Sequence, residues 1–199
     1  MSPDTIARSS LSFLLAGIVN TTTTTFWVFM RLFTDPQLLV SAREEINAAL
    51  VAGEARNGRD TLSITLVRDR CAILSAVFRE GLRVGSENLS VRPFKEDTML
   101  VKKQFLQNGA VVQISGGAIH SDRSIWGDDV DEFNSSRFLG AKARAGRFQP
   151  AAFRRFGGGK TPCPSRHFAI NEVLLLTAMI ILAFDLESRR RPGLCTLQR

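Results

Sequence analysis

The stretch Phe156-Gly157-Gly158-Gly159-Lys160-Thr161-Pro162-Cys163-Pro164-Ser165-Arg166-His167-Phe168-Ala169 sets the reading of this chain. It brings one cysteine to the mouth of a long apolar run, Ile170 to Phe184, which reads as a helix. Three successive glycines let the backbone turn tightly and approach a flat partner without Cβ clashes. Pro162 and Pro164 fix φ on either side of the sulfur, and Pro164 is expected in the first turn of the helix. A sulfur so placed faces the positive end of a helix dipole and its free N–H groups. Such a setting suits a sulfur that ligates a metal in a planar cofactor.

Leu11 to Phe33 is a second long apolar segment, interrupted by Asn20 and the run Thr21 to Thr25. It is long enough to span a bilayer and follows Arg8, so a signal anchor is one reading. Its polar residues near mid-span oppose that reading, and favour a long buried helix whose polar groups line a cavity. Gly17, Thr21 and Thr24 recur at i, i+4 and i+7, with Asn20 on a neighbouring row. A glycine and hydroxyls on one face leave room for a small ligand and offer it hydrogen bonds. Ordinary packing of the threonines is the alternative.

Asp35-Pro36 signals a helix start, followed by Leu38, Leu39, Ala42, Ile46, Ala49 and Leu50 at helical spacing. Val51 to Asp60 is a polar loop, and a further amphipathic helix runs from Leu62 or Val67 to Val84. Glu80 and Arg83 lie on that helix at i and i+3. Leu89–Pro93, Thr98–Val101 and Ala110–Ser115 read as short strands. His120 reads as a capping or loop-packing residue. Residues 141–149 form a basic, alanine-rich loop. The last helix, apolar nearly all round, is expected in the core.

The pattern Phe156-x-x-Gly159-x-x-x-Cys163-x-x-Arg166-x-x-Ala169 resembles the haem-binding loop of the haem-thiolate monooxygenases, the cytochrome P-450 family. Ser165 departs from it, standing where the family has glycine. Ala16-Gly17 with Asn20 and the threonines resembles the family's distal helix. It is closest in style to fungal members and to the sterol 7-alpha-hydroxylase and prostacyclin synthase subgroup. Glu80-x-x-Arg83 resembles the family's buried pair, whose third partner corresponds to Arg137 in Phe133-Asn134-Ser135-Ser136-Arg137-Phe138. Arg92 matches an arginine that meets a haem propionate.

The resemblance implies a mainly α fold with small β-sheets (α+β), the incomplete C-terminal half of the family's fold. The distal helix is expected at about 9–33 and the Glu-x-x-Arg helix at about 66–84. Strands and meander would occupy 89–149, the cysteine loop 156–165 and the final helix 166–184, leaving an unmatched tail at 187–199. It implies haem b bound through the Cys163 thiolate, with Phe156, Gly157, Gly159, Arg92 and Ala169 around it. Ala16, Gly17, Asn20, Thr21 and Thr24 would form the oxygen side. A lipophilic substrate and an NADPH-dependent reductase are the implied partners. The endoplasmic reticulum membrane, cytosolic face, is the location expected of a full-length eukaryotic member. Two further readings stay open: a non-catalytic truncated fragment with little haem binding, and a small membrane-anchored protein.

Composition narrows the field further. The 199 residues carry a formal net charge of +7, yet no basic stripe interleaved with aromatics, so nucleic-acid binding is not indicated. Cys71, Cys163 and Cys195 are far apart and odd in number, and only two histidines are present. Neither a disulfide framework nor a structural zinc site is implied.

Overall fold

The computed structural model describes residues 2–51, 60–140 and 150–186. Most of the expected polar loop at 51–60, the basic loop at 141–149 and the tail at 187–199 lie outside the described residues.

Helix α1 (Pro3–Thr34) starts earlier than the resemblance implied. Ser2 accepts a hydrogen bond from the Thr5 amide, Pro3 occupies the first turn and Asp4 faces the positive end of the dipole. Asp35 closes α1 and opens α2 (Pro36–Ala48), its Oδ1 accepting the Gln37 and Leu38 amides at 3.1 Å each. The long helix expected between Leu62 and Val84 is two, α3 (Ile64–Arg70) and α4 (Ala72–Gly85), broken at Cys71. The break is tertiary in origin. Glu45 of α2 accepts the Ile73 amide at 2.8 Å and so caps α4 from another element.

The described residues form three antiparallel two-stranded sheets: β1 (Leu50–Val51) with β2 (Thr61–Leu62) between α2 and α3, then, after α4, β3 (Leu89–Pro93) with β6 (Val111–Ser115) and β4 (Thr98–Leu100) with β5 (Gln104–Leu106). The strand β5 was not foreseen. Val101 and Lys102 both take positive φ, 51° and 57°, giving the twist a tight hairpin needs. Short helices α5 (Gly116–His120) and α6 (Arg123–Trp126) and a 3-10 turn at Ser135–Phe138 lead to the cysteine loop. Helix α7 (Arg166–Ala183) is the last described element.

One core cluster joins all five longer helices through Leu32, Ile46, Val67, Leu74, Val77, Leu174 and Ile181, each almost fully buried. Burying one such side chain stabilises by roughly 1.5–3 kcal/mol, which fixes the helices that carry the site. A second cluster packs Trp126, Val130 and Phe138 on Ala76 of α4.

Two burial expectations are corrected. Only Thr25, Val28 and Leu32 of α1 are buried, and Phe13 and Leu14 are 75% and 59% exposed. Its middle, Phe13 to Thr24, borders the cleft described below. Likewise α7 is buried on one face only, at Val173, Leu174, Thr177, Ala178 and Ile181, whereas Phe168 and Met179 are exposed. A helix apolar on every side has no sequence signal for which side meets the core. Both α1 and α7 are long and apolar enough to cross a membrane by length and composition.

Candidate functional site

A cleft of about 1130 Å3 separates the middle of α1, Phe13 to Thr24, from the cysteine loop and the start of α7. Ala16, Gly17, Asn20, Thr21 and Thr24 line one wall; Phe156, Gly157, Cys163 and Ala169 line the other. Residues almost 150 positions apart in sequence therefore share one cavity. On the α1 side the polar groups are partly spoken for: Asn20 Nδ2 donates to the Ala16 carbonyl at 2.9 Å and Thr24 Oγ1 to the Asn20 carbonyl at 2.8 Å. Their oxygens still offer lone pairs to the cleft.

The loop owes its shape to two glycines. Gly157 and Gly159 have φ of +77° and +75°, a region in which a Cβ is strained. The Cys163 amide then donates back to the Phe156 carbonyl at 2.9 Å and closes the loop. Arg166 of α7 holds the other side, its Nη1 donating to the Cys163 carbonyl at 3.2 Å. Helix α7 begins only at Arg166, so Pro164 precedes the first turn rather than lying in it. Ser165 occupies the N-cap position but makes no side-chain cap hydrogen bond.

Two expected cofactor-side residues stand apart from the cleft wall. Gly159 shapes the loop without lining the cavity. Arg92 also lies off the wall; its Nη2 donates to Thr161 Oγ1 at 3.1 Å, bracing the loop from β3.

Glu80, Arg83 and Arg137 form one buried network. Arg83 meets Glu80 in a fork, Nη2 to Oε1 at 2.7 Å and Nε to Oε2 at 2.9 Å. Glu80 Oε1 also accepts from Arg137 Nε at 3.3 Å and from the Asn134 amide at 3.0 Å. The remaining guanidinium donors find the His120, Glu132 and Trp126 carbonyls and Asp129. Hydrogen bonds from Asn134 and then Arg137 hold the Asp129 carboxyl below its ordinary range. The satisfaction is what lets three charges sit in the interior.

Arg155 was missed from sequence. It lines the cleft beside Phe156, with its guanidinium 4.7 Å from the Phe153 ring centroid and 5.5 Å from that of Phe156. Burial, and then the charge of Arg79, push its pKa down to about 10. Its position next to Phe156 was legible; its burial between two rings was not.

The residues present fit a planar metal cofactor. An added Cβ at Gly17 or Gly157 would meet no atom within 4 Å, so both glycines face open space. No three His, Cys, Asp or Glu side chains gather into a metal cluster among the described residues. A metal at the Cys163 sulfur must bring its other ligands with it, as a porphyrin does.

Comparison with known proteins agrees with this geometry. The family described as Cytochrome P450 matches residues 1–196. "Cytochrome P450 monooxygenase nodJ" of Hypoxylon pulicicidum is 34% identical over 192 residues, covering 92% of this chain and 37% of that protein. "Bifunctional cytochrome P450/NADPH--P450 reductase" of Gibberella moniliformis is 30% identical over 188 residues, covering 94% and 16%. "Cytochrome P450 7B1" of Mus musculus is 31% identical over 194 residues, covering 92% and 38%. The chain thus spans little more than a third of the length of the first of these relatives. With a glycine-shaped cysteine loop facing a threonine-lined helix, and a match along nearly its whole length, the chain belongs to the cytochrome P450 family.

Proposed function

We propose that the cleft holds haem b through the Cys163 thiolate, and that the protein containing this chain is a monooxygenase of lipophilic small molecules. The observation that carries the reading is the single cavity bounded by Cys163 on one side and by Gly17, Asn20, Thr21 and Thr24 on the other. Thiolate-ligated haem supplies the activation of O2 from which one oxygen atom is inserted into the substrate. Cys163 would supply the sulfur that holds the haem, its carbonyl pinned by Arg166 so that the sulfur stays in place. Gly157 and Ala169 keep the wall on the Cys163 side low, and Phe156 would pack beside the bound group. Across the cleft, Asn20, Thr21 and Thr24 offer lone pairs, and Thr21 a hydroxyl proton, on the side where oxygen would lie. The apolar wall of Phe13, Leu14 and Ile18 favours a lipophilic substrate. A separate or fused NADPH-dependent reductase is the proposed electron source, as the printed name of the fusion relative supports.

The test is haem reconstitution followed by a reduced, CO-bound absorption spectrum. A Soret band red-shifted as for thiolate-ligated haem is expected, and Cys163→Ser should remove it. A spectrum without that shift in the parent chain would overturn the reading.

A further inference from the structure

The cysteine loop is entered through the backbone of Arg154, which is gripped at both its N–H and its carbonyl. Its N–H donates to His120 Nε2 at 3.0 Å. Its carbonyl accepts Asn88 Nδ2 at 2.5 Å and the Gly157 amide at 3.0 Å. The Arg154 guanidinium in turn lies against Gly158, where a Cβ would stand 2.6 Å from Nη1.

His120 is 2% exposed and comes from α5, while Asn88 lies in the connection between α4 and β3. The His120 carbonyl accepts Arg83 Nη1 at 2.9 Å. One residue thus touches both the Glu80–Arg83 network, by its backbone, and the loop entrance, by its ring.

We propose that His120 is a positioning residue for the cysteine loop. With Asn88 it fixes the Arg154 backbone from which the loop departs, and so fixes where the Cys163 sulfur stands. The inference deepens the haem-thiolate reading and rests on it for its functional meaning.

The geometry sets the protonation state. A nitrogen that accepts a backbone N–H carries no proton, so the ring is neutral with its hydrogen on Nδ1. That nitrogen is buried, facing the Ser86 and Arg83 backbones beside a polar cavity of about 190 Å3 also lined by Glu87 and Asp131. The charged groups facing the ring are Arg83 from α4, Arg154 from the loop and, across the small cavity, Glu87 and Asp131, and its remaining neighbours include the Trp126 and Phe153 rings. Burial first, with the two guanidiniums adding to it and hydrogen bonds to the Ser86 and Arg83 backbones opposing it, holds the pKa below the ordinary histidine value. Protonation would put a hydrogen on Nε2 against the Arg154 N–H and open the grip. The contribution is therefore present above pH 6.5 and lost as pH falls through the lowered value.

The experiment uses the full haem-free chain, so that it reads the loop without relying on the cofactor. Amide hydrogen exchange of residues 154–163 is followed in the parent, His120→Leu and His120→Gln, each from pH 7 to pH 5. Loss of the acceptor leaves a buried N–H unpaired, so His120→Leu should lower loop protection about tenfold or more. His120→Gln, whose amide oxygen can accept at the same reach and does not titrate, should restore protection and abolish the parent's fall with pH. Parent-like protection in His120→Leu, or a pH step that persists in His120→Gln, would overturn the proposal. Should His120→Leu not fold, the pH step in parent and His120→Gln decides alone. The CO spectrum of the reconstituted parent separates the two readings. A grip that behaves as expected in a chain without a thiolate spectrum upholds the positioning role and sinks only the haem assignment.

Discussion

Arg83 Nη2 stands 2.7 Å from Glu80 Oε1, in an ion pair whose side chains are 2% and 0% exposed. A pair so placed is worth little against water, yet removing one member leaves an uncompensated buried charge. Glu80→Gln should destabilise the chain by about 3–5 kcal/mol, since Arg83 and Arg137 would then face each other. Chemical denaturation checks this; a change within the error of the parent would mean the network is not held as a unit.

The three cysteines should behave differently. Cys71 is fully buried, and burial, with Glu45 adding to it, pushes its thiol up to about 11. Cys163 lies half-buried on the cleft wall. At pH 8 iodoacetamide should modify Cys163 and leave Cys71 intact, as peptide mapping would show. Cys163→Ser should abolish the thiolate spectrum of reconstituted chain, whereas Cys71→Ser and Cys195→Ser should leave it.

Two adjacent glycines offer a steric contrast. A Cβ at Gly116 would lie 2.6 Å from Asn88 Oδ1 and 3.0 Å from the Asn88 carbonyl oxygen, while at Gly117 it would make only ordinary contacts with Glu87. Gly116→Ala should cost about 1–3 kcal/mol by pushing Asn88 off the Arg154 carbonyl. Gly117→Ala, within the same helix, should be neutral or stabilise by up to about 1 kcal/mol. Equal thermal stability of the two variants would contradict the contact.

Phe13, Leu14, Phe26 and Trp27 stand 44% to 75% exposed along α1. Apolar surface of that extent favours association. The chain alone should elute in gel filtration as a self-associated species, and Phe13→Glu with Leu14→Lys should shift it toward monomer. Monomeric elution of the parent without detergent would contradict this.

Ser165 makes no capping hydrogen bond, so Ser165→Gly should leave stability within about 0.5 kcal/mol. Its effect should appear in haem retention instead, because the serine lines the cleft. Tighter retention in Ser165→Gly indicates that the Cβ crowds the ring. Lost stability with unchanged retention would restore the capping role the structure does not support.

Where capping chemistry is local, the sequence alone was sufficient. Asp35-Pro36 sets the junction of α1 and α2, and the glycine run with Cys163 sets the loop, because turn and cap preferences act within a few residues. The i, i+4, i+7 row of Gly17, Thr21 and Thr24 likewise assigns a helix face before any partner is known. Tertiary structure decided what depends on groups distant in the chain. Glu45 breaks the expected long helix at Cys71 by capping Ile73 from another helix. Thr161 draws Arg92 off the cleft wall. Phe153 and Phe156 bury Arg155, and His120 grips Arg154 from thirty-four residues away. No local pattern encodes these, since each side chain satisfies its hydrogen bonds or stacking only with a partner that folding brings alongside.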